Sequence, residues 1–376
     1  MRVLIDYRSA LRTRSGVGEY VHRLVAALLT AGRANRSQPL ELTLFSSSWK
    51  DRLTLDGELD GARIVDRRLP VALLNFAWHR LQWPPAEWLA GGAFDVTHSL
   101  HPLLLPARAA ARVVTVHDLN FLTHPERTRA EIRRDYPALT RAHAHRSDAI
   151  VVPSQFTARE VERQLGVPAD RITVCSPGAP DWPPRTVPPN PGYVLFFGTL
   201  EPRKNVGTLL DAYEQLLSRR ALPELVLAGQ PTAESQPWLD RIRRPPLSGN
   251  VRHVGYVNPA DRQRLYEGAR VLVQPSLEEG FGIPVLEAMT IGVPVVAANR
   301  GALPEVLGDA GLLVEAEDPA ALASALDRLL EDEAFWRASV AKGLQRSRQF
   351  LWSETAIRTL DVYRRAIERR AHAHRD

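Results

Sequence analysis

Short apolar runs, each followed by a stretch of helix length, recur along almost the whole chain, and this alternation limits the available folds more than any other feature. Strands separated by helices pair in parallel, through crossovers that cover both faces of the sheet. In the first half the runs are RVLID (2–6), ELTLFSS (41–47), ARIVD (62–66), FDVTHS (94–99), RVVTVHD (112–118), DAIVVPS (148–154) and ITVCSPG (172–178), with a helix expected from about Glu19 to Ala31. Seven prolines then crowd into PGAPDWPPRTVPPNP (177–191). Proline lacks a ladder donor and restrains its predecessor, so this stretch is neither helix interior nor central strand, and an interdomain linker is expected. The alternation restarts with YVLFFGT (193–199), a helix from Asn205 to about Leu217, and ELVLAG (224–229), VRHVGYV (251–257), ARVLVQPS (269–276), PVVAAN (294–299) and AGLLVEA (310–316). The expectation is an α/β protein of two Rossmann-like domains facing a cleft, 1–180 and 192–352, joined by 181–191. Residues 353–376 add a helix and basic tail. Its stripe of Ile357, Leu360, Val362, Tyr363 and Ile367 does not say which domain it packs on.

The 376 residues exceed the roughly 250–300 at which single cores stop growing, in agreement with two domains. A lone cysteine, Cys175, excludes an intramolecular disulfide and a four-cysteine zinc site, and it is expected to be buried or incidental. No run reaches the ~18 apolar residues of a membrane span. The opening MRVLIDYRSA lacks the basic region, apolar core and cleavage site of a secretory leader, so a bacterial cytoplasmic location is expected. The net charge is +5, and of 48 basic residues only Lys50, Lys204 and Lys342 are lysines. A GC-rich genome accounts for that bias, and it singles out each lysine. The positive charge permits anionic partners such as nucleotides, but it is spread, without zinc-finger or RNA-recognition patterns, and nucleic acid is not expected.

Ligands of parallel sheets bind beyond the carboxyl ends of the strands, where His98, His117, Asp118, Ser154 and Gly178 fall. Ser15-Gly16-Val17-Gly18 lies between the first strand and a helix; it reads either as a flexible turn or as a place where backbone amides approach an anion. Its spacing is not GxGxxG, so a dinucleotide fingerprint is weak. Gly198 to Asn205, GTLEPRKN, occupies the equivalent place in the second half. Arg203 and Lys204 there are either a solvated pair or, given the scarcity of lysine, a seat for a diphosphate. In PSLEEGFGIPVLEAM (275–289), Glu279 sits in a glycine-rich turn past a strand and Glu287 lies eight positions on, in the following helix. A turn carboxylate can hydrogen-bond sugar hydroxyls, and one early in a helix can take both hydroxyls of a ribose. The bland alternative is a surface turn residue and a complement to the helix dipole. His117, followed by Asp118, is either a hydrogen-bonded structural histidine or a site residue. His98, His101 and His124 match no metal-binding spacing, and no metal is expected.

These motifs resemble glycosyltransferase family 4, retaining enzymes of GT-B architecture. Glu279 and Glu287 form its E-x7-E pattern, and GTLEPRKN (198–205), GVG (16–18), HDLNFLTHPE (117–126) and NRGALPEVLGDAGLLVE (299–315) follow in family order. The similar branch is that of mannosyltransferases building bacterial O-antigen, lipopolysaccharide and other surface polysaccharides. The resemblance implies that the first domain faces the acceptor and the second binds a nucleoside diphosphate sugar. Arg203 and Lys204 would bind the diphosphate, with Gly198 beside them, Glu287 the ribose, and Glu279 the donor sugar near its 3-hydroxyl. Gly16 and Gly18 would close near the diphosphate and His117, with Asp118, would lie beside the transferred sugar. Gly280 and the backbone of Phe281, Gly282 and Ile283 would line the pocket, with the base around Gly229 and Tyr256.

The implied reaction moves a hexose, with mannose from GDP-mannose as first choice and UDP- or ADP-sugars behind it, to a glycan or polyprenyl-diphosphate-linked acceptor. Retention would follow a same-face course, without a covalent role for Glu279 and without a cofactor or divalent metal. A nucleotide-sugar epimerase, a glycogen-type phosphorylase and a non-catalytic nucleotide-sugar or glycan-binding protein are the rival readings. Phe76, Trp78, Trp83 and Trp88 among arginines (67–91), Arg127, Arg129, Arg133, Arg134, Arg141 and Arg146 (offset by Glu131 and Asp135), and a basic C-terminal tail from Arg364 to Arg375 allow peripheral contact with the inner membrane. Core packing explains the aromatic residues as well.

Overall fold

The computed structural model describes residues 1–11, 16–34, 39–53, 57–125 and 130–373, and only the backbone over 130–135. Among the residues singled out above, Ser15, Glu126, Arg127, Arg129 and Arg375, and the side chains of Glu131, Arg133, Arg134 and Asp135, lie outside this description. The chain forms two units: Met1–Gly178 with Leu351–Asp376, and Ala179–Phe350.

Unit 1 carries strands β1 (Arg2–Asp6), β2 (Glu41–Ser47), β3 (Arg63–Arg67), β4 (Val96–Ser99), β5 (Ala111–Thr115), β6 (Ala149–Val152) and β7 (Ile172–Val174). They pair in parallel in the order β3-β2-β1-β4-β5-β6-β7. With helices on both faces, alternate residues of a strand enter different cores: Ile5 packs with Leu24 and Leu28 of the Val17–Ala34 helix, whereas Leu4 packs with Phe45 and Trp78. The C-terminal helix, Trp352–His372, returns to unit 1 and buries Ala356, Val362, Tyr363 and Ala366 in the first of these clusters. The Tyr363 hydroxyl bonds His98 Nδ1 at 2.7 Å. A Cβ on Gly178 would lie 2.2 Å from the amide nitrogen of Trp352, so only glycine lets this helix dock.

Unit 2 carries β8 (Tyr193–Phe197), β9 (Leu225–Ala228), β10 (Val251–Gly255), β11 (Ala269–Gln274), β12 (Val295–Ala298) and β13 (Leu312–Val314), parallel in the order β10-β9-β8-β11-β12-β13. The Val206–Leu217 and Pro319–Glu331 helices share one core, and the Pro259–Glu267 and Ile283–Ile291 helices another. From Ala179 onward the proline-rich stretch lies on this unit. Trp182 packs on Tyr266 with ring centroids 5.9 Å apart, and Arg185 donates to the carbonyls of Glu267 at 3.2 Å and Gly292 at 2.9 Å. Each sheet reverses its strand order once, between β1 and β4 in unit 1 and between β8 and β11 in unit 2. Such switch points leave a crevice beyond the strand ends.

Candidate functional site

The unit 2 switch point is built by two loops that leave neighbouring strands. After β8, Gly198 to Glu201 lead into a single 3-10 turn, Pro202–Lys204, which places Arg203 and Lys204 side by side. After β11, residues 275–282 turn Glu279 back toward them. Lys204 Nζ donates to Glu279 Oε1, and Arg203 lies 3.4 Å from Glu279 Oε2. Ser276 Oγ and Gln274 Nε2 also donate to Oε1, at 2.9 and 3.1 Å. The loops are tied by Leu277 N–H to Arg203 O at 2.8 Å.

Lys204 and Glu279 are both buried. Burial raises the Glu279 carboxyl, but the charges of Lys204 and Arg203 and the bonds from Lys204 and Ser276 outweigh it and push it down to about 2. Burial, reinforced by Arg203, pulls the Lys204 ammonium below its ordinary value against the opposing pull of Glu279. The site is therefore a fixed carboxylate under two cations. An ammonium carries three donors. Among the described residues Glu279 is the only hydrogen-bond partner of Lys204 Nζ.

Glu287 lies in the Ile283–Ile291 helix and is buried at 3% exposure against Arg262, whose NH1 donates to its Oε1 at 2.9 Å. Tyr266 stands beside the pair, its phenol raised well above the ordinary value by burial and by the Glu287 carboxylate. Gly198 and Gly229 touch across β8 and β9: a Cβ on Gly229 would lie 1.9 Å from Gly198 O. Tyr256 is half-buried just beyond β10. Gly280 is buried, Phe281 packs edge-on to Phe350 at 5.7 Å, and Gly282, at φ +105°, precedes Ile283 at the helix start.

Gly16, Gly18, His117 and Asp118 belong to unit 1. Gly16 is exposed at φ +51°, whereas Gly18 is already inside the helix, which begins at Val17 and not at Glu19; only Gly16 is a loop glycine. His117 Nε2 donates to Leu100 O at 3.1 Å, so Nδ1 keeps its lone pair, and its ring meets Tyr20 edge-on at 4.9 Å. Burial lowers the His117 pKa below its ordinary value. Asp118 Oδ1 accepts from Asn120 N–H at 3.2 Å. His98 is structural, buried between Tyr363 and Thr115 and held neutral by burial, with its pKa pushed down to about 3. Cys175 is buried, its thiol raised to about 11. Among the described residues no group of three His, Cys, Asp or Glu side chains could hold a metal ion.

The supports of the site left little trace in the sequence. Gln274 ends a strand directly after the buried apolar run Val271, Leu272 and Val273, a signal that its amide has a buried partner. Asn205, at φ +57°, donates to Pro275 O at 3.1 Å and Ala316 O at 2.6 Å and pins the β8 loop to its neighbours. Gly301, in the NRG turn, lets Ala302 N–H reach Glu279 O at 2.9 Å; a Cβ there would lie 2.5 Å from that oxygen. Arg262, in a helix of mixed pattern, gave no sign of its pairing with Glu287.

Residues 14–181 match the family model described as Glycosyltransferase Family 4, and residues 191–332 that described as Glycosyl transferases group 1. O-antigen chain mannosyltransferase B of Escherichia coli is 32% identical over 370 residues, covering 93% of this chain and 96% of that protein. The serotype-specific mannosyltransferase WbdA of Escherichia coli is 30% identical over 278 residues, and there the match spans 68% of this chain but only 34% of that protein. Among solved structures, sucrose-phosphate synthase of Thermosynechococcus elongatus aligns with a TM-score of 0.78 at 20% identity, over 97% of this chain and 98% of that one.

Proposed function

The chain belongs to glycosyltransferase family 4, and from that premise we propose that it moves mannose from GDP-mannose, with retention at the anomeric carbon, to a glycan or polyprenyl-diphosphate-linked acceptor. It is a hexosyltransferase of GT-B architecture. The donor nucleotide, sugar and stereochemistry are our reading, supported by the kinship with O-antigen mannosyltransferases.

The observation that carries the reading is the buried Lys204–Glu279–Arg203 set at the β8/β11 switch point. Breaking a glycosyl phosphate bond leaves negative charge on the departing diphosphate. Cations held in place before the reaction stabilise that charge without reorganising. Glu279 keeps Lys204 oriented, and two of the ammonium's donors are available to phosphate oxygens. Because Glu279 is engaged by two cations and two neutral donors, its role here is to position them and to face the sugar, not to attack the anomeric carbon. A same-face course assigns deprotonation of the acceptor hydroxyl to the departing phosphate oxygen, and the residues at hand meet the charge requirement without a metal.

Glu287 is proposed to hold the ribose, with Arg262 keeping it aligned. His117, with Nδ1 as acceptor, is proposed to take a hydroxyl of the transferred sugar. Gly16 is assigned to the diphosphate side, and Gly229 and Tyr256 to the base. Contact with the inner membrane is supported by Phe76, Trp83 and Trp88, exposed at 53%, 59% and 56%, whereas Trp78 is core. Among the described residues no helix is long and apolar enough to cross a membrane.

The test is incubation with GDP-mannose, UDP-glucose and ADP-glucose and a mannose-terminated acceptor, with the product anomer read by NMR. Transfer from GDP-mannose with an α-linked product supports the reading; a β-linked product, or no transfer from any donor, overturns it.

A further inference from the structure

Three elements of unit 1 converge on His117, two residues past β5. Its carbonyl accepts from Thr157 Oγ1, in the Gln155–Leu165 helix, at 3.4 Å. Its Nε2 donates to Leu100 O, just past β4, at 3.1 Å. A carbonyl oxygen accepts over a broad range of directions. One bond at one ring nitrogen therefore leaves the imidazole able to turn about it, and the Nδ1 lone pair would turn with the ring.

The third contact removes that freedom. Tyr20, in the first turn of the Val17–Ala34 helix, is buried, and its ring stands at 83° to that of His117 with centroids 4.9 Å apart. Aromatic rings favour this edge-on arrangement because the positive rim of one meets the negative face of the other. Tyr20 is itself backed by Trp352, the first residue of the C-terminal helix, at 5.8 Å and 55°. Trp352 is held in turn by its close approach to Gly178 and by Thr355 Oγ1, which donates to Ser176 O at 2.5 Å.

The Tyr20 hydroxyl does not account for the residue. It is shut off from solvent and meets no hydrogen-bond partner among the described residues. A buried hydroxyl left unmatched costs stability, so the position is served by the ring. Tyr20 shares the core of Leu24 and Tyr363, where any large apolar side chain would pack. The perpendicular contact with His117 asks for an aromatic one.

We propose that Tyr20, backed by Trp352, is a positioning residue for His117: it sets the plane of the imidazole and so the direction in which Nδ1 accepts. This rests on the reading that His117 takes a hydroxyl of the transferred sugar. The C-terminal helix thereby contributes to the site through its first residue.

The test is a double-mutant cycle on the full chain, read as kcat and donor KM for sugar transfer. Tyr20→Leu is expected to lower kcat about tenfold with donor KM within about twofold, and Tyr20→Phe to recover most of the loss. On a His117→Ala background Tyr20→Leu should change kcat by less than about twofold, because nothing remains to position. A residue that only packs the core would cost the same on both backgrounds. Equal losses on the two, or Tyr20→Phe as slow as Tyr20→Leu, would overturn the positioning role. Should Tyr20→Leu not fold, Trp352→Leu enters the same cycle, with an expected loss of about threefold that vanishes without His117. Undiminished kcat in His117→Ala overturns the His117 assignment and this proposal with it. Relaxation of the His117 ring carbons, assigned by their loss in His117→Ala, tests the geometry without turnover. A ring as rigid as the backbone, loosened in Tyr20→Leu, supports it, and a ring that already reorients in the wild type overturns it. A rigid ring in a chain that transfers no sugar overturns the transferase reading alone.

Discussion

Glu279 is held as a carboxylate by groups from three places in the chain: Lys204 and Arg203 after β8, and Gln274 and Ser276 on its own strand and loop. Lys204→Met removes the cation and leaves the carboxylate buried beside Arg203. Transfer should fall by about 10²–10³ in kcat, the size seen when a charge-stabilising donor is lost. A kcat within threefold of wild type (roughly half a kcal/mol by the usual rate arithmetic) would argue against the assignment. The acid limb of stability follows from the same contacts. The folded pKa of Glu279 lies below its ordinary value of 4.5, so its contribution is present above that pH and is lost as pH falls toward about 2. In urea titrations the stability gap between wild type and Glu279→Gln should narrow across this window; a constant gap would contradict the pairing. Glu287 too has a buried partner, Arg262. Glu287→Ala takes the carboxylate away from buried Arg262 and should cost about 3–5 kcal/mol. A loss under 1 kcal/mol by urea titration, below the scale of a broken buried pair, would show that the pair is not formed.

At the scale of elements, the strand ends carry the site, and these were largely legible. Every strand expected from the apolar runs is present, because strands buried on both faces must be apolar throughout. The runs overreached at their carboxyl ends: β5 stops at Thr115 while the expected run continued to Asp118, since the last residues leave the ladder to build the crevice. Glu279, Glu287, Arg203 and Lys204 stood out through spacing and the rarity of lysine. Asn205, Gly301 and Arg262 did not, because their partners are distant in sequence and their residue types are ordinary in turns and helices. Asn205→Ala removes two bonds to loop carbonyls and keeps a left-handed backbone that alanine resists, so a loss of about 2 kcal/mol is expected. Asn205→Gly should recover part of it by relieving the backbone, and equal losses would show that the bonds alone matter. Gly229→Ala drives a methyl into Gly198 O and should cost about 3 kcal/mol or more by thermal unfolding; a variant as stable as wild type would contradict the close approach.

At the scale of the molecule, the C-terminal helix belongs to the unit at the other end of the sequence. Its stripe of Val362, Tyr363 and Ala366 fills the unit 1 core, which a stripe alone could not reveal because either unit offers an apolar face. A chain ending at Phe350 should therefore lose cooperative melting of unit 1, whereas residues 179–350 should fold alone and keep the diphosphate seat. The most direct measurement is calorimetric titration of GDP, UDP and ADP into the intact chain and into Lys204→Met. Saturable binding of a nucleoside diphosphate is expected, GDP first, weakened at least about tenfold by the substitution. Binding of none of the three, or equal affinity in the variant, would contradict it.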